Sequence, residues 1–112
     1  LRFPVWARNT EDYDLLIYVA NWPKVRVSAW DALLKARAIE NMSYCVGVNR
    51  VGLDGNNLEY VGHSGVYDAL GDEVAFAKAE EKIIDVILSK EHIHNTRERL
   101  PFLNDKDTFK LL

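Results

Sequence analysis

From Tyr13 to Ala20 the chain reads Tyr-Asp-Leu-Leu-Ile-Tyr-Val-Ala, an almost unbroken apolar run that stops at Asn21-Trp22-Pro23, where a proline ends regular pairing. The run predicts a strand buried on both faces, of the kind found in sheets, often parallel, whose crossovers are helices. Trp30, Leu33, Leu34, Arg37, Ala38 and Ile39 then recur at helical spacing. Ser28 stands ahead of them as N-cap and Asp31 follows three places later, a capping-box-like start, so a helix is predicted from Ser28 to Asn41. Tyr44 to Arg50 alternates large and small residues and predicts a second strand, with Gly47 and its small neighbours suggesting close approach of another layer. Asp54-Gly55-Asn56-Asn57 is a turn signal, and Leu58 to Tyr67 resumes as a strand, so a hairpin is the simplest connection. A turn at Asp68 to Asp72 contains Gly71, and two further strands are predicted at Glu73 to Ala79 and Lys82 to Leu88. Ser89 caps a last helix that runs to about Arg99 and ends at Leu100-Pro101-Phe102, and the tail from Leu103 to Leu112 is free to pack on a neighbouring surface.

The pattern is α/β, a mixed β-sheet of about five strands with two long helices, opening with a crossover and continuing in hairpins. Two helices cannot cover such a sheet on both sides, so its second face needs further sequence or a partner.

Length and composition narrow the picture. A chain of 112 residues, 48% hydrophobic and 28% charged, makes one domain or less. A net charge of -3 from interspersed residues leaves no basic face for a phosphate backbone, so nucleic acid is not expected as a partner. Leu15 to Ala20, the longest apolar stretch, is far shorter than the roughly 20 residues that cross a bilayer, so no membrane association is expected. Cys45 is the only cysteine, which excludes an internal disulfide and fits the reducing cytoplasm. The start, Leu1-Arg2-Phe3-Pro4-Val5-Trp6, carries large apolar groups and no Met, and is expected to belong to a longer chain.

Few residues offer chemistry. Cys45 lies inside a strand with no helix start after it, and is expected to be a buried structural thiol. His92 and His94, two apart on a helix, point to different faces and are expected to be solvated rather than a metal pair. His63, between Gly62 and Ser64, either serves a pocket or satisfies a backbone group. Arg37 and Glu40 share a helix face and either pair in solvent or reach under a neighbouring loop. Gly62, Gly65 and Gly71 lie among strands and make no phosphate loop. Asn21 and Trp22 stand where a buried strand ends, the usual ligand position in α/β sheets; an aromatic there either walls a pocket or covers the core.

The strings themselves carry a resemblance. Leu1-Arg2-Phe3-Pro4-Val5-Trp6 resembles the segment after the nucleophilic cysteine of the nitrilase superfamily of carbon-nitrogen hydrolases, where the pattern runs Cys-Tyr-Asp-Leu-Arg-Phe-Pro. Tyr13 to Pro23, Ala36-Arg37-Ala38-Ile39-Glu40-Asn41, Gly47-Val48-Asn49-Arg50-Val51-Gly52 and His63-Ser64-Gly65-Val66-Tyr67-Asp68 resemble later blocks of that family in the same order. The likeness runs from Leu1 to about Leu103 and is greatest to the branch that acts on ω-amides of dicarboxylic acids. It implies that residues 1–112 are the C-terminal part of a single domain, a four-layer αββα sandwich, whose N-terminal part supplies the missing cover. It implies cleavage of a small amide by a Glu, Lys and Cys set with no metal or cofactor; all three would precede Leu1, leaving this segment inert alone. It implies that Trp22 lines the substrate pocket with Asn21 as companion, and that Arg2 and Glu40 pair to brace the turn after the nucleophile, with Arg37 nearby. Leu1 to Arg8 would start the helix that follows the nucleophile. A homodimer or higher oligomer is implied through Leu1 to Arg8 and Ser28 to Asn41, where Trp30 and Leu34 can serve core or partner. The competing expectation is a non-catalytic interaction module that buries its open sheet face on a partner.

Overall fold

Two parallel strands, β1 (Leu15–Ala20) and β2 (Tyr44–Asn49), pair from Leu15↔Tyr44 to Ala20↔Asn49, joined by the crossover helix α1 (Val27–Asn41). This is the predicted opening unit, and a computed structural model describes it together with the rest of residues 1–112. β3 (Val51–Leu53) and β4 (Glu59–Val61) form a separate hairpin around the Asp54 turn. β5 (Gly65–Tyr67) and β6 (Glu73–Phe76) return antiparallel, giving a mixed sheet in the order β1-β2-β5-β6. Helix α2 (Lys90–Arg99) packs Ile93 beneath Tyr44 and Ala69, and its cap is the predicted one, Ser89 Oγ accepting from the His92 N–H at 3.1 Å.

Trp30, Leu34 and Ala38, spaced four apart on α1, are fully buried against Cys45 and Tyr67. That spacing lays one stripe of the helix along β2, and Gly47 is what lets it settle there. A Cβ on Gly47 would lie 2.7 Å from Trp30 Cζ2 and 2.8 Å from Leu34 Cδ2, closer than van der Waals contact permits. Trp30 and Leu34 are thus core residues, which resolves the choice left open between core and partner.

The second face of the sheet is bare. Leu16, Tyr18 and Ala20 pack toward α1, whereas Ile17 and Val19 on the opposite side are 58% and 80% exposed. The expectation that β1 is buried on both faces is corrected: one helical layer covers one side, and the slab measures 46 × 38 × 18 Å. Its smallest dimension holds one sheet and one helix at about 10 Å per layer.

Three further boundaries differ from expectation. The helix starts at Val27 behind a 3-10 turn, Lys24–Arg26, with no side-chain cap; Ser28 already lies inside it, and Asp31 is engaged by His63 instead. The stretch from Leu58 to Tyr67 is not one strand, because Gly62 and His63 adopt positive φ (70° and 56°) and carry the chain from the hairpin into the main sheet. Lys82 to Leu88 keeps its alternation but pairs with nothing: Ile83 and Ile87 are 90% and 96% exposed, and a strand exists only where an edge takes up its backbone groups.

Candidate functional site

The site is built at the carboxyl end of the parallel pair. Pairing ends at Ala20↔Asn49, and the next residues, Asn21-Trp22-Pro23, leave the sheet. Asn49 holds them. Its Oδ1 accepts the Trp22 N–H at 2.7 Å, while its Nδ2 donates to the Trp22 carbonyl and to the Gly62 carbonyl, both at 2.8 Å. Ser64 Oγ accepts the Asn49 N–H at 2.9 Å and donates to the Asn49 carbonyl at 3.2 Å. The half-buried indole of Trp22 donates from Nε1 to the Arg26 carbonyl at 2.6 Å and lies tilted against Trp30, ring centroids 5.8 Å apart. The Arg2 guanidinium stands over the same indole, 5.3 Å from the centroid. Asn21 is exposed.

The segment from Leu1 to Asn9 is bound to α1 at both ends. Arg37, 3% exposed, donates from Nη2 to the carbonyls of Leu1 and, at 3.4 Å, of Arg2, and from Nη1 to Glu40 Oε1 at 2.9 Å. One turn further along α1, Asn41 and Asn9 interlock: the Asn9 N–H donates to Asn41 Oδ1 at 2.8 Å and Asn9 Nδ2 to the Asn41 carbonyl at 2.9 Å. Between these anchors the chain makes a single 3-10 turn, Pro4–Ala7, rather than the start of a longer helix. The contacts differ from the expected ones. Glu40 pairs with Arg37, not Arg2, and it is Arg37 that reaches under the neighbouring loop instead of forming a solvated pair.

The remaining candidates are structural. Cys45 is fully buried, and burial pushes its thiol up to about 12 from 9.0, against the lowering influence of Arg37, which disfavours the thiolate at neutral pH. Iodoacetamide at near-neutral pH is expected to leave the Cys45 peptide unmodified in the folded protein and to label it in urea; native-state labelling would contradict this. The same shift makes stability pH-dependent. The folded thiol keeps its proton toward 12 while the unfolded chain releases it near 9.0, so the contribution is complete below 9.0 and is lost as pH rises toward 12.

His63 Nδ1 meets Asp31 Oδ2 at 2.9 Å, and its carbonyl accepts from Trp30 Nε1 at 2.8 Å, so it ties α1 to the link between β4 and β5. His94 is a solvated partner of Glu98 at 3.1 Å, as expected, whereas His92 is half-buried, 3.2 Å from Asp68 Oδ2 and tilted against Tyr44 with ring centroids 6.0 Å apart. No three His, Cys, Asp or Glu side chains converge to hold a metal ion.

Asn9, Asn41, Asn49 and Ser64 escaped the reading of the sequence as site residues. Asn49 alone carried a signal: it shares the buried parity of β2 with Cys45 and Gly47, and a polar residue there needs partners.

Known proteins resemble this chain in sequence and fold. A model of the family described as carbon-nitrogen hydrolase matches residues 2–98. The chain is 51% identical over 113 residues to an omega-amidase, YafV, of Yersinia enterocolitica, covering 100% of this chain and 44% of that protein. It is 38% identical over 108 residues to a 2-oxoglutaramate amidase of Paenarthrobacter nicotinovorans, covering 95% of this chain and 36% of that protein. The crystal structure of XC1258 from Xanthomonas campestris, a CN-hydrolase superfamily protein with an arsenic adduct in its active site, superimposes with a TM-score of 0.96 at 43% identity. That superposition covers 99% of this chain and 45% of the other. The chain thus spans less than half the length of these relatives.

Proposed function

This chain belongs to the carbon-nitrogen hydrolase family, and on that premise we propose that the protein it comes from is a cysteine-dependent amidase acting on the ω-amide of a small dicarboxylic acid. The observation that carries the reading is the placement of Leu1 and Arg2. Arg37 holds their carbonyls, and the Arg2 guanidinium stands over the Trp22 indole at the carboxyl end of β1. In this reading the nucleophile a few places ahead of Leu1 would lie beside a strand end, where α/β sheets take their ligands. The printed names of the relatives, omega-amidase and 2-oxoglutaramate amidase, support the substrate class.

In this reading a Cys, a Glu and a Lys ahead of Leu1 perform the reaction. Glu takes the thiol proton, the thiolate attacks the amide carbon, and Lys holds the oxyanion. As the intermediate collapses Glu returns that proton to the leaving nitrogen, so ammonia departs and a thioester remains; the same Glu, now ionised, takes a proton from the water that attacks the thioester and gives it to the departing thiolate, releasing the free acid. Trp22 and Asn21 line the pocket, and Arg37 with Glu40 steadies the turn after the nucleophile. No metal or cofactor takes part, and the unpaired thiol of Cys45 fits a cytoplasmic setting.

The open sheet face, with Ile17 and Val19 bare, is proposed to be covered by the N-terminal part of the same domain. The same face favours the second reading, a non-catalytic module that buries it on another protein. Trp6, 86% exposed beside an apolar hollow between the first segment and β1, supports a homodimer or higher oligomer through Leu1 to Arg8 and α1.

The test is ammonia release by the full reading frame from a panel that includes glutarate and succinate monoamides, with the 112-residue chain alone as the inactive control. Release confined to the full protein, sedimenting as a dimer or larger, is the expected result. No release from any monoamide would favour the interaction module.

A further inference from the structure

Asn49 is polar, only 8% exposed, and set on the face of β2 that packs against α1. Its amide spends both N–H groups and its carbonyl oxygen on other segments, none on its own strand. The two bonds to Trp22 act as one extra rung of the parallel ladder. They hold the Trp22 peptide at the point where Pro23 prevents β1 from continuing. The third bond, to the Gly62 carbonyl, and the Ser64 hydroxyl on the Asn49 backbone refer that rung to the link between β4 and β5, where both Gly62 and His63 are in the left-handed region. His63 in turn accepts the Trp30 indole N–H through its carbonyl, and Trp30 is the ring against which Trp22 rests. Two adjacent indoles are thus placed by one polar cluster.

Resting on the amidase reading, in which Trp22 walls the pocket, we infer that Asn49 is a positioning residue that sets substrate affinity through Trp22, with Ser64 holding Asn49 in turn. A purely apolar residue at this place would fill the same space against α1 but would leave the Trp22 peptide free to swing out with its indole. The amide is therefore used to fix one aromatic wall rather than to complete the core. Ser64 makes its hydrogen bonds to the Asn49 backbone and none to Trp22, so its influence passes through Asn49.

The experiment uses the full-length protein and a double-mutant cycle on steady-state kinetics with the best monoamide of the panel. Asn49→Ala is expected to raise KM about tenfold with kcat held within about threefold, because ground-state placement is lost and the reacting groups are untouched. In a Trp22→Ala background the same substitution is expected to change KM by less than about twofold. Effects that multiply across the two backgrounds would overturn the inference. Should Asn49→Ala fail to fold, Ser64→Ala enters the same cycle, with a smaller rise in KM that also vanishes without Trp22.

Iodide quenching of tryptophan emission gives a readout independent of activity. Asn49→Ala is expected to increase the quenchable fraction only when Trp22 is present, and equal quenching in both backgrounds would refute the positioning role. If the wild-type protein hydrolyses no monoamide, the amidase reading fails by itself, and the quenching pair then decides whether Asn49 holds Trp22.

Discussion

Trp30→Ala is expected to lower the unfolding free energy of the full protein by about 3–5 kcal/mol, the largest single effect expected among these residues. Trp30 is fully buried and touches both layers: its ring packs on Leu34, Cys45 and Trp22, and its Nε1 donates to the His63 carbonyl at 2.8 Å. Truncation leaves a cavity that cannot collapse readily, since Gly47 opposite it has no side chain to move in and the carbonyl of His63 loses its donor. Urea unfolding of the two proteins side by side measures the difference, and a loss below about 1 kcal/mol would mean that the site repacks. Trp30→Phe separates the contributions. It keeps most of the volume and loses the hydrogen bond, and is expected to cost about 1–2 kcal/mol.

The second large effect falls on turnover. Arg37→Met keeps the aliphatic stem of a residue that is 3% exposed but removes its donors to Leu1, Arg2 and Glu40. Stability is expected to fall by about 2–3 kcal/mol, because the carbonyls lose charged donors while Glu40, whose side chain is 41% exposed, returns to water at little cost. On the proposed amidase reading, kcat/KM of the full protein is expected to fall about a hundredfold, since the turn that would follow the nucleophile is free to shift by about 1 Å. Glu40→Gln is the companion: the carbonyl contacts survive, and activity is expected to stay within a few fold of wild type. If Arg37→Met retained kcat/KM within a few fold while losing the expected stability, Arg37 would belong to the scaffold and not to the placement of the turn.

Both predictions turn on side chains that the one-dimensional pattern placed correctly on a helix and could not connect. Trp30, Leu34 and Ala38 recur at four-residue spacing, so their common face was readable; that this face meets Gly47 of β2 and not another protomer was not. The family blocks led to the expectation that Arg2, Arg37 and Glu40 form one group, but which arginine meets Glu40 depends on how close α1 lies to the first segment. The Asn9 and Asn41 interlock closes over 32 residues of sequence. It gave no local sign, because an asparagine in a loop and one at a helix end each look solvated by themselves.

Local chemistry alone determined the strand, helix, strand opening, the hairpin at Asp54, the turn with Gly71 and the helix capped by Ser89, because each is decided by residues within a few positions of one another. It also carried the family, since the blocks from Leu1 to Asp68 stand in order along the chain. Tertiary structure alone decided which face of β1 is bare, that Lys82 to Leu88 has no ladder, that Asp31 binds His63 instead of capping α1, and that Asn49 holds Trp22. Backbone periodicity is set by near neighbours, whereas burial, pairing and the partner of a polar group depend on segments tens of residues away.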